Sequence, residues 1–218
     1  GMALLLSNKA DEAIEIFHKL AESKPDYLYS LVGLGEAYYQ KKMYAESISY
    51  YQKAVDRGFS DANTFANFGN SLFRIGQIKK AIEVLDKAVK LAPDLAIAYN
   101  NRGVALETIG KTDEAIADFK KAIALAPKFA QPFNNLAVSM EKKGKFKEAH
   151  KLYLEAVRLQ PDWNLAHFNL ALSYIRLDER ESARAQLDIL NGYDAKLAEQ
   201  GRKALWQKYV VNANSFRP

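Results

Sequence analysis

The chain has 218 residues, of which 49% are hydrophobic and 26% are charged, a composition that is ordinary for a folded protein. Its net charge of +5 is only mildly basic, and the absence of cysteine from the sequence excludes disulfide bridges and thiolate metal sites. No segment of the sequence approaches the roughly 18 consecutive apolar residues of a membrane span, so we expect no membrane span, and we expect a cytoplasmic location.

The N-terminal segment predicts an incomplete structural unit. Residues 2–7 have the character of the end of a first helix, and a second helix is expected near residues 11–23. A half unit of this kind leaves the three leucines of the first segment poorly covered. Either this start repacks locally, or it packs on another copy of the chain or on a preceding segment. Gly1 before Met2 resembles a cloning remnant, which leaves the natural start open.

A fixed period organises the chain after this start. Pro93, Pro127 and Pro161 stand 34 residues apart, and Pro25 lies 68 residues, two such steps, before Pro93. A period of this size indicates one supersecondary unit that is copied along the chain. Because such units contact only their neighbours, they stack into an extended array with a long binding surface and no closed pocket.

The segment 62–95 shows what one unit contains. Asp61 has the side chain of a helix N-cap, and apolar residues then recur at helical spacing. Gly76 separates this first helix from a second apolar run over residues 78–89, and Pro93 ends the second helix. The unit is therefore predicted to be a helix, a tight turn, a second helix and a short link.

Small residues mark the places where two helices are expected to approach closely. One position of the first helix holds only glycine or alanine: Gly35, Gly69, Gly103, Ala137 and Ala171. The matching position of the second helix holds Ala13, Ser47, Ala81, Ala115, Ala149 and Ala183. Three aromatic side chains, Tyr51, Phe119 and Tyr153, are expected to fill the space between units.

This series of small residues, inter-helix glycines, aromatic residues and closing prolines resembles the tetratricopeptide repeat (TPR) family over about residues 2–195. The resemblance implies an all-α, right-handed α-solenoid (superhelix) of TPR helix-turn-helix units with a C-terminal capping helix, as a single domain over residues 2–211. The expected units are about 2–27 (partial), 28–61, 62–95, 96–129, 130–163 and 164–193.

The C-terminal segment predicts the cap of this array. Asn191 and Gly192 are expected to end the last second helix, and Asp194 can then cap a final helix over residues 195–211. The apolar side chains of that helix would cover the last unit. Residues 212–218 are expected to form a loose tail.

The resemblance also implies where a ligand binds, because the first helices of TPR units line the inner surface of the array. One row on this surface consists of asparagines at intervals of 34 residues: Asn67, Asn101, Asn135 and Asn169. An asparagine amide can pair with both the C=O and the N–H of a peptide unit, so the row could hold an extended backbone. The alternative is that these amides bond only to a neighbouring helix.

Other residues on the same surface complete the predicted peptide-binding groove. They are Tyr29, Tyr39, Asn70, Phe73, Arg74, Asn100, Asn134, Lys142, Phe168 and Arg176. A second TPR binding mode clamps a C-terminal carboxylate with basic side chains. At the positions where that mode needs basic side chains, this chain has Ala66, Gln131 and Asn135. We therefore do not predict the carboxylate clamp.

The charges of the predicted groove point to a peptide partner. Its three basic residues are balanced by three acidic ones, whereas phosphate binding needs clustered positive charge. We therefore predict an adaptor or assembly scaffold that binds a protein or peptide segment, and no nucleic acid. An RNA-binding helical array would want a 35-residue period and a basic inner face. A self-assembling structural subunit is the other alternative, favoured by the leucines of the N-terminal end.

No residue pattern in the sequence indicates catalysis. The three histidines fit no metal motif, and the sequence has neither a phosphate-binding glycine loop nor a Gly-x-Ser-x-Gly elbow. His18 and His150 are expected to be solvated, and His167 occupies a core-type position. We therefore expect a non-enzymatic protein with no cofactor and no metal.

Overall fold

The computed structural model describes Leu5, Ser7 and residues 9–214, and within them the regular structure is entirely α-helical. Twelve helices follow one another in this part of the chain: α1 Ala10–Ser23, α2 Tyr29–Gln40, α3 Tyr44–Asp56, α4 Ala62–Arg74, α5 Ile78–Leu91, α6 Ala96–Thr108, α7 Thr112–Leu125, α8 Ala130–Lys142, α9 Phe146–Leu159, α10 Asn164–Arg176, α11 Arg180–Tyr193 and α12 Ala195–Asn214. The predicted all-α class of helix-turn-helix units is confirmed.

The chain forms two compact units, residues 1–114 and residues 115–218, and the boundary falls inside α7. In the first, which we call unit 1, α2 packs on α3 and α4 on α5 as helical hairpins, and α4 also contacts α6. In the second, which we call unit 2, α8 pairs with α9, α10 pairs with α11, and α12 packs on both α10 and α11. Each unit therefore stacks TPR-like hairpins side by side.

Local chemistry sets the helix ends as the sequence predicts. Asp61 has the extended backbone of an N-cap, and its carboxylate accepts a hydrogen bond from the backbone N–H of Thr64 at 2.8 Å. This cap fixes the start of α4. Gly76, between α4 and α5, has a φ of +80°, a left-handed conformation that glycine adopts without steric cost.

The turns of two other hairpins use a different residue for the same conformation. Lys42, between α2 and α3, has a φ of 60°, and Asp178, between α10 and α11, has a φ of 69°. Both occupy the repeat position that glycine fills at Gly76. A left-handed backbone at a residue with a Cβ is unfavourable, so these turns store strain.

Close helix approaches coincide with the small residues. A Cβ placed on Gly35 would lie 2.6 Å from Cε1 of Tyr51, and one placed on Gly69 would lie 2.5 Å from Cγ of Leu85. Tyr51 and Leu85 are both fully buried. The glycine of a first helix therefore accommodates the large side chain that its second helix presents, which explains why this position stays small.

The N-terminal start is better covered than the sequence suggests. Leu5 is only 5% exposed and packs in a cluster with Ala13, Phe17 and Leu34. The other two leucines of that segment lie outside the described residues. Self-association through this end stays a prediction.

The C-terminal end corrects two predicted boundaries. Asn191 and Gly192 lie inside α11, which continues to Tyr193. Asp194 is the true junction, since its carboxylate accepts a hydrogen bond from the backbone N–H of Leu197 at 2.9 Å. α12 then runs to Asn214, so the predicted tail from residue 212 begins in helix, and residues 215–218 lie outside the described part.

Candidate functional site

The predicted ligand-contacting residues of unit 1 lie on the first helices of its hairpins. They are Tyr29 and Tyr39 on α2, Asn67, Asn70, Phe73 and Arg74 on α4, and Asn100 and Asn101 on α6. Asn67, Asn70 and Arg74 are three or four residues apart, so they share one side of α4. We call this side of α2, α4 and α6 the unit 1 face.

Two asparagines of the unit 1 face bond to the preceding first helix. Asn67 Nδ2 donates to Oε2 of Glu36 at 2.7 Å, and Asn70 Nδ2 donates to the hydroxyl of Tyr39 at 2.8 Å. Both hydrogen bonds run from α4 to α2. These amides therefore help to join consecutive hairpins, which is the structural alternative to ligand contact.

Asn101 differs from these two asparagines. Its Nδ2 is buried and has no hydrogen-bond partner in the described part of the chain, while Oδ1 accepts a long hydrogen bond from Asn100 Nδ2 at 3.4 Å. Asn101 lines a cavity of about 240 Å³ together with Asn70, Phe73, Arg74 and Val104, which we call the Asn101 cavity. A buried amide donor without a partner is costly to the folded state.

A larger cavity lies at the N-terminal part of the same face and is called the Glu36 cavity. Its volume is about 370 Å³. It is lined by Leu5, Tyr29, Val32, Gly33, Glu36, Gln40, Tyr51, Phe59, Asp61, Asn63, Thr64 and Asn67. Aromatic and aliphatic walls with a few convergent polar groups are typical of ligand sites of this size.

The aromatic residues of the unit 1 face divide into an exposed and a packed group. Tyr29 is 59% exposed and meets the ring of Phe59 edge to face, with the ring centroids 5.0 Å apart. Phe73 instead packs against the buried core cluster of the unit. Burial raises the pKa of Tyr39 above its ordinary value, so its hydroxyl stays protonated and can accept from Asn70 while donating elsewhere. Tyr29 is therefore more accessible to a ligand than Phe73.

In unit 2 the predicted asparagines also bond within the protein. Asn169 Nδ2, on α10, donates to Oδ1 of Asn134, on α8, at 2.8 Å. Asn134 is buried, and Asn135 is also engaged in an interaction. The link from α10 to α8 matches the role of Asn67 in unit 1.

The remaining predicted residues of unit 2 are engaged as well. Arg176 forms an ion pair with Glu141 at 3.7 Å, and its guanidinium lies 5.0 Å from the ring centroid of Phe146. Phe168 packs against the core cluster of that unit, and Lys142 also has an interaction partner. A cavity of about 350 Å³ in unit 2 is lined by Phe146, which the Arg176 guanidinium contacts, together with Gly144, Lys145, Lys147, Glu148 and Leu177.

Sequence reasoning did not include several residues that the structure brings to a cavity. Phe59, Asp61 and Thr64 line the Glu36 cavity, and no sequence pattern pointed to them, whereas the repeat position of Gln40 places it on the inner surface beside Tyr39. Another cavity, of about 300 Å³, lies between α11 and α12. It is lined by Arg180, Arg184, Leu187, Asp188, Arg202, Leu205 and Trp206.

The histidines have structural surroundings. The prediction that His150 is solvated is wrong. Its Nδ1 lies 2.8 Å from the hydroxyl of Ser173, and burial lowers the pKa of its ring. His167 is buried as predicted, and its Nε2 lies 2.7 Å from the carbonyl oxygen of Pro161. The described residues contain no His, Cys, Asp and Glu group that could hold a metal ion, and none of their helices has the length and apolarity to cross a membrane.

Comparison with known families agrees with the hairpin geometry. Family models described as TPR repeat or tetratricopeptide repeat match residues 1–62, 69–110, 96–129 and 130–163. The chain belongs to the tetratricopeptide repeat family. As a TPR protein it is a protein-interaction module of a generally non-enzymatic class. No curated protein sequence matches this TPR chain at a significant level.

Solved structures resemble the TPR chain over most of its length. MamA has a TM-score of 0.65 at 25% identity, covering 73% of this chain and 93% of its own. YrrB, described as a TPR protein with an unusual peptide-binding site, has a TM-score of 0.62 at 28% identity, covering 75% and 84%. The APC/C hetero-tetramer Cut9-Hcn1 gives a TM-score of 0.84 at 21% identity over 93% of this chain and 40% of the other, a likeness of fold alone.

Proposed function

We propose that this TPR protein is a non-enzymatic adaptor or assembly scaffold that binds an extended peptide or protein segment on the first-helix side of its hairpins. The observation that carries the proposal is the pair of cavities on the unit 1 face, of about 370 and 240 Å³. Both are bordered by α4, which contributes Asn67 to one and Asn70 to the other. They therefore follow one another along a single helix.

The spacing of the two cavities suits an extended chain. Asn67 and Arg74 are seven residues apart on α4, which corresponds to about 10 Å along a helix axis. An extended peptide advances about 3.3 Å per residue, so about three peptide residues cover this distance. One side chain could enter each cavity while the backbone between them meets the amides of α4 and α6.

The polarity of the cavities favours a peptide over a nucleic acid. Arg74 is the one basic residue among the described residues that line the two cavities, against two carboxylates, Glu36 and Asp61. A phosphate backbone needs clustered lysine or arginine along its path. YrrB, with its described peptide-binding site, supports the same class of ligand.

The experiment selects peptides from a phage-displayed random 12-residue library on the immobilised full chain. An enriched peptide is then synthesised with a fluorophore, and its Kd is measured by anisotropy. Asn101→Ala removes an amide donor that has no partner among the described residues, so thermal stability should change little. If that donor meets the peptide backbone, its loss costs about 0.5–1.5 kcal/mol, which is roughly a two- to tenfold rise in Kd.

A matched control removes an amide elsewhere in the same unit. Gln52, exposed on α3, donates to Asp56 at 2.7 Å and lines neither cavity. Gln52→Ala should leave the Kd unchanged. Failure to enrich any peptide, or equal binding by the Asn101→Ala protein, would contradict the proposed binding face.

A further inference from the structure

The Glu36 cavity has a one-sided charge. Glu36 and Asp61 both line it, and none of its described lining residues is a lysine or an arginine. In the part of the chain that the structure describes, neither carboxylate forms an ion pair: the hydrogen bonds of Glu36 come from Tyr51 and Asn67, and those of Asp61 come from Thr64. The cavity therefore presents negative charge without a cation of its own.

Glu36 is held so that one of its oxygens remains available. The hydroxyl of Tyr51 donates to Oε2 at 3.0 Å, and Asn67 Nδ2 donates to the same oxygen at 2.7 Å. Burial, followed by the nearby Glu36 charge, raises the pKa of Tyr51, so this hydroxyl keeps its proton and its role as donor. Oε1 accepts none of the hydrogen bonds found among the described residues. The carboxylate is thus oriented by two neutral donors and still has one oxygen for a ligand.

Gln40 supplies a second acceptor. It follows Glu36 by four residues on α2, which places both side chains on one side of the helix. Its Oε1 is buried and has no donor within the described residues, although the residue lines the cavity. A buried carbonyl oxygen without a partner is costly in the free protein, and a rotation of the Gln40 side chain towards the cavity would bring this oxygen to the N–H donors of a ligand.

The walls of the cavity complement these acceptors. Tyr29 is exposed, and its ring meets that of Phe59 at an angle of 85° between the ring planes. Aromatic faces attract cations and also pack well against the methylene stem of a long side chain. Aromatic walls with carboxylate and amide oxygens between them match one class of ligand group, an aliphatic stem that ends in a positive charge.

We propose that the Glu36 cavity binds a basic side chain, lysine or arginine, of the peptide that occupies the unit 1 face. This inference rests on the proposed function and specifies its ligand. The cationic head lies between Glu36 and Asp61 and donates to Gln40 Oε1, while the stem packs against Tyr29 and Phe59. A peptide is therefore selected for one basic position as well as for its extended backbone.

The test uses the same phage-displayed random 12-residue library on three forms of the full chain. Glu36→Gln removes the charge, while its amide oxygen can keep the hydrogen bonds from Tyr51 and Asn67. Glu83→Gln is the matched control, because this substitution removes the same charge at a residue that is exposed on the second helix α5, outside the cavity. Wild type and Glu83→Gln should enrich lysine or arginine at one peptide position at least threefold, and Glu36→Gln should lose that enrichment.

A synthetic peptide from the wild-type selection then isolates the interaction. Replacing its basic residue by norleucine should weaken binding to the wild type about tenfold and leave binding to Glu36→Gln nearly unchanged. Circular dichroism melts show whether each variant is folded. If the Glu36→Gln protein is not folded, Gln40→Lys serves instead. It places a cation of the protein itself in the cavity and should abolish the preference for a basic peptide residue in the same way.

The outcomes separate this inference from the proposed function. Enriched peptides without a basic position, or with a basic position that Glu36→Gln retains, overturn the inference and leave peptide binding intact. A library that enriches no peptide on the wild type overturns both.

Discussion

The contact between Gly69 and Leu85 predicts that one substitution changes sign with its background. A Cβ on Gly69 would lie 2.5 Å from Cγ of Leu85, and 3.0 Å from its Cδ2. Leu85 is fully buried, and Cγ lies at the branch point of its side chain, so it has little room to move away. Gly69→Ala alone should therefore destabilise unit 1, although alanine is the better helix former.

The magnitudes follow from the two opposing effects. Overpacking a buried contact costs about 1–3 kcal/mol, and replacing glycine by alanine inside a helix returns about 1 kcal/mol. The net change is a loss of about 0–2 kcal/mol. Leu85→Ala alone should cost about 2–5 kcal/mol because it leaves a cavity. In the Leu85→Ala protein, Gly69→Ala meets no clash and should instead stabilise by about 1 kcal/mol.

The assay is a double-mutant cycle in which urea unfolding of each variant is monitored by circular dichroism at 222 nm. The coupling between the two substitutions should be about 1–3 kcal/mol and favourable to the double variant. Gly192→Ala is the control, because nothing lies within 4 Å of a Cβ at that position and it should not destabilise in either background. Additive free energies of unfolding would refute the packing described for α4 and α5.

Three further predictions concern stability. Burial and, to a smaller extent, the charge of Glu36 raise the pKa of Tyr51 above the value of about 10 in the unfolded chain. The contribution of the Tyr51 hydroxyl to the free energy of unfolding is therefore complete below about pH 10 and declines above it by up to about 1.4 kcal/mol per pH unit. Tyr51→Phe should remove that decline, at a cost of about 1.5–3 kcal/mol near neutral pH for the lost hydrogen bond to a carboxylate, as urea titrations at pH 8 and pH 11 would show. Asp194→Ala should lower the free energy of unfolding by about 0.5–2 kcal/mol through loss of the N-cap of α12. Limited proteolysis of α12 should then be faster than in the wild type, and slower proteolysis would contradict the prediction. Ala115, fully buried on α7, should not tolerate leucine, which would lower the urea midpoint by an amount equivalent to about 1–3 kcal/mol.

Periodicity predicts the helices of the segment 62–95 well. The apolar spacing in the segment 62–95, with Asp61 before it and Gly76 within it, corresponds to α4 and α5 to within two residues. These features are local, because a cap, a turn and an apolar stripe each depend on a few neighbouring residues. The predicted end of α11 at Asn191 and Gly192 is one residue early, because a glycine does not oblige a helix to end, and the cap at Asp194 marks the boundary with α12.

The candidate site was less predictable, because its contacts join residues that are far apart in sequence. Asn67 was placed on the right helix, but its hydrogen bond to Glu36 depends on the offset between two hairpins. His150 was expected to be solvated, and only the packing of α9 against α10 brings it to Ser173. The Glu36 cavity combines α2 with residues around the start of α4, and no repeat period indicates that combination.

The two strained turns bear on how the protein opens. Lys42 and Asp178 hold a left-handed backbone in the first and the last complete hairpin, whereas Gly76 holds it without strain in between. A non-glycine residue in this conformation costs about 1–2 kcal/mol, so the turns at Lys42 and Asp178 carry a local cost that the turn at Gly76 does not. Amide hydrogen exchange near Lys42 should therefore be faster than near Gly76, and the Glu36 cavity, built partly on the α2–α3 hairpin, would share that local mobility.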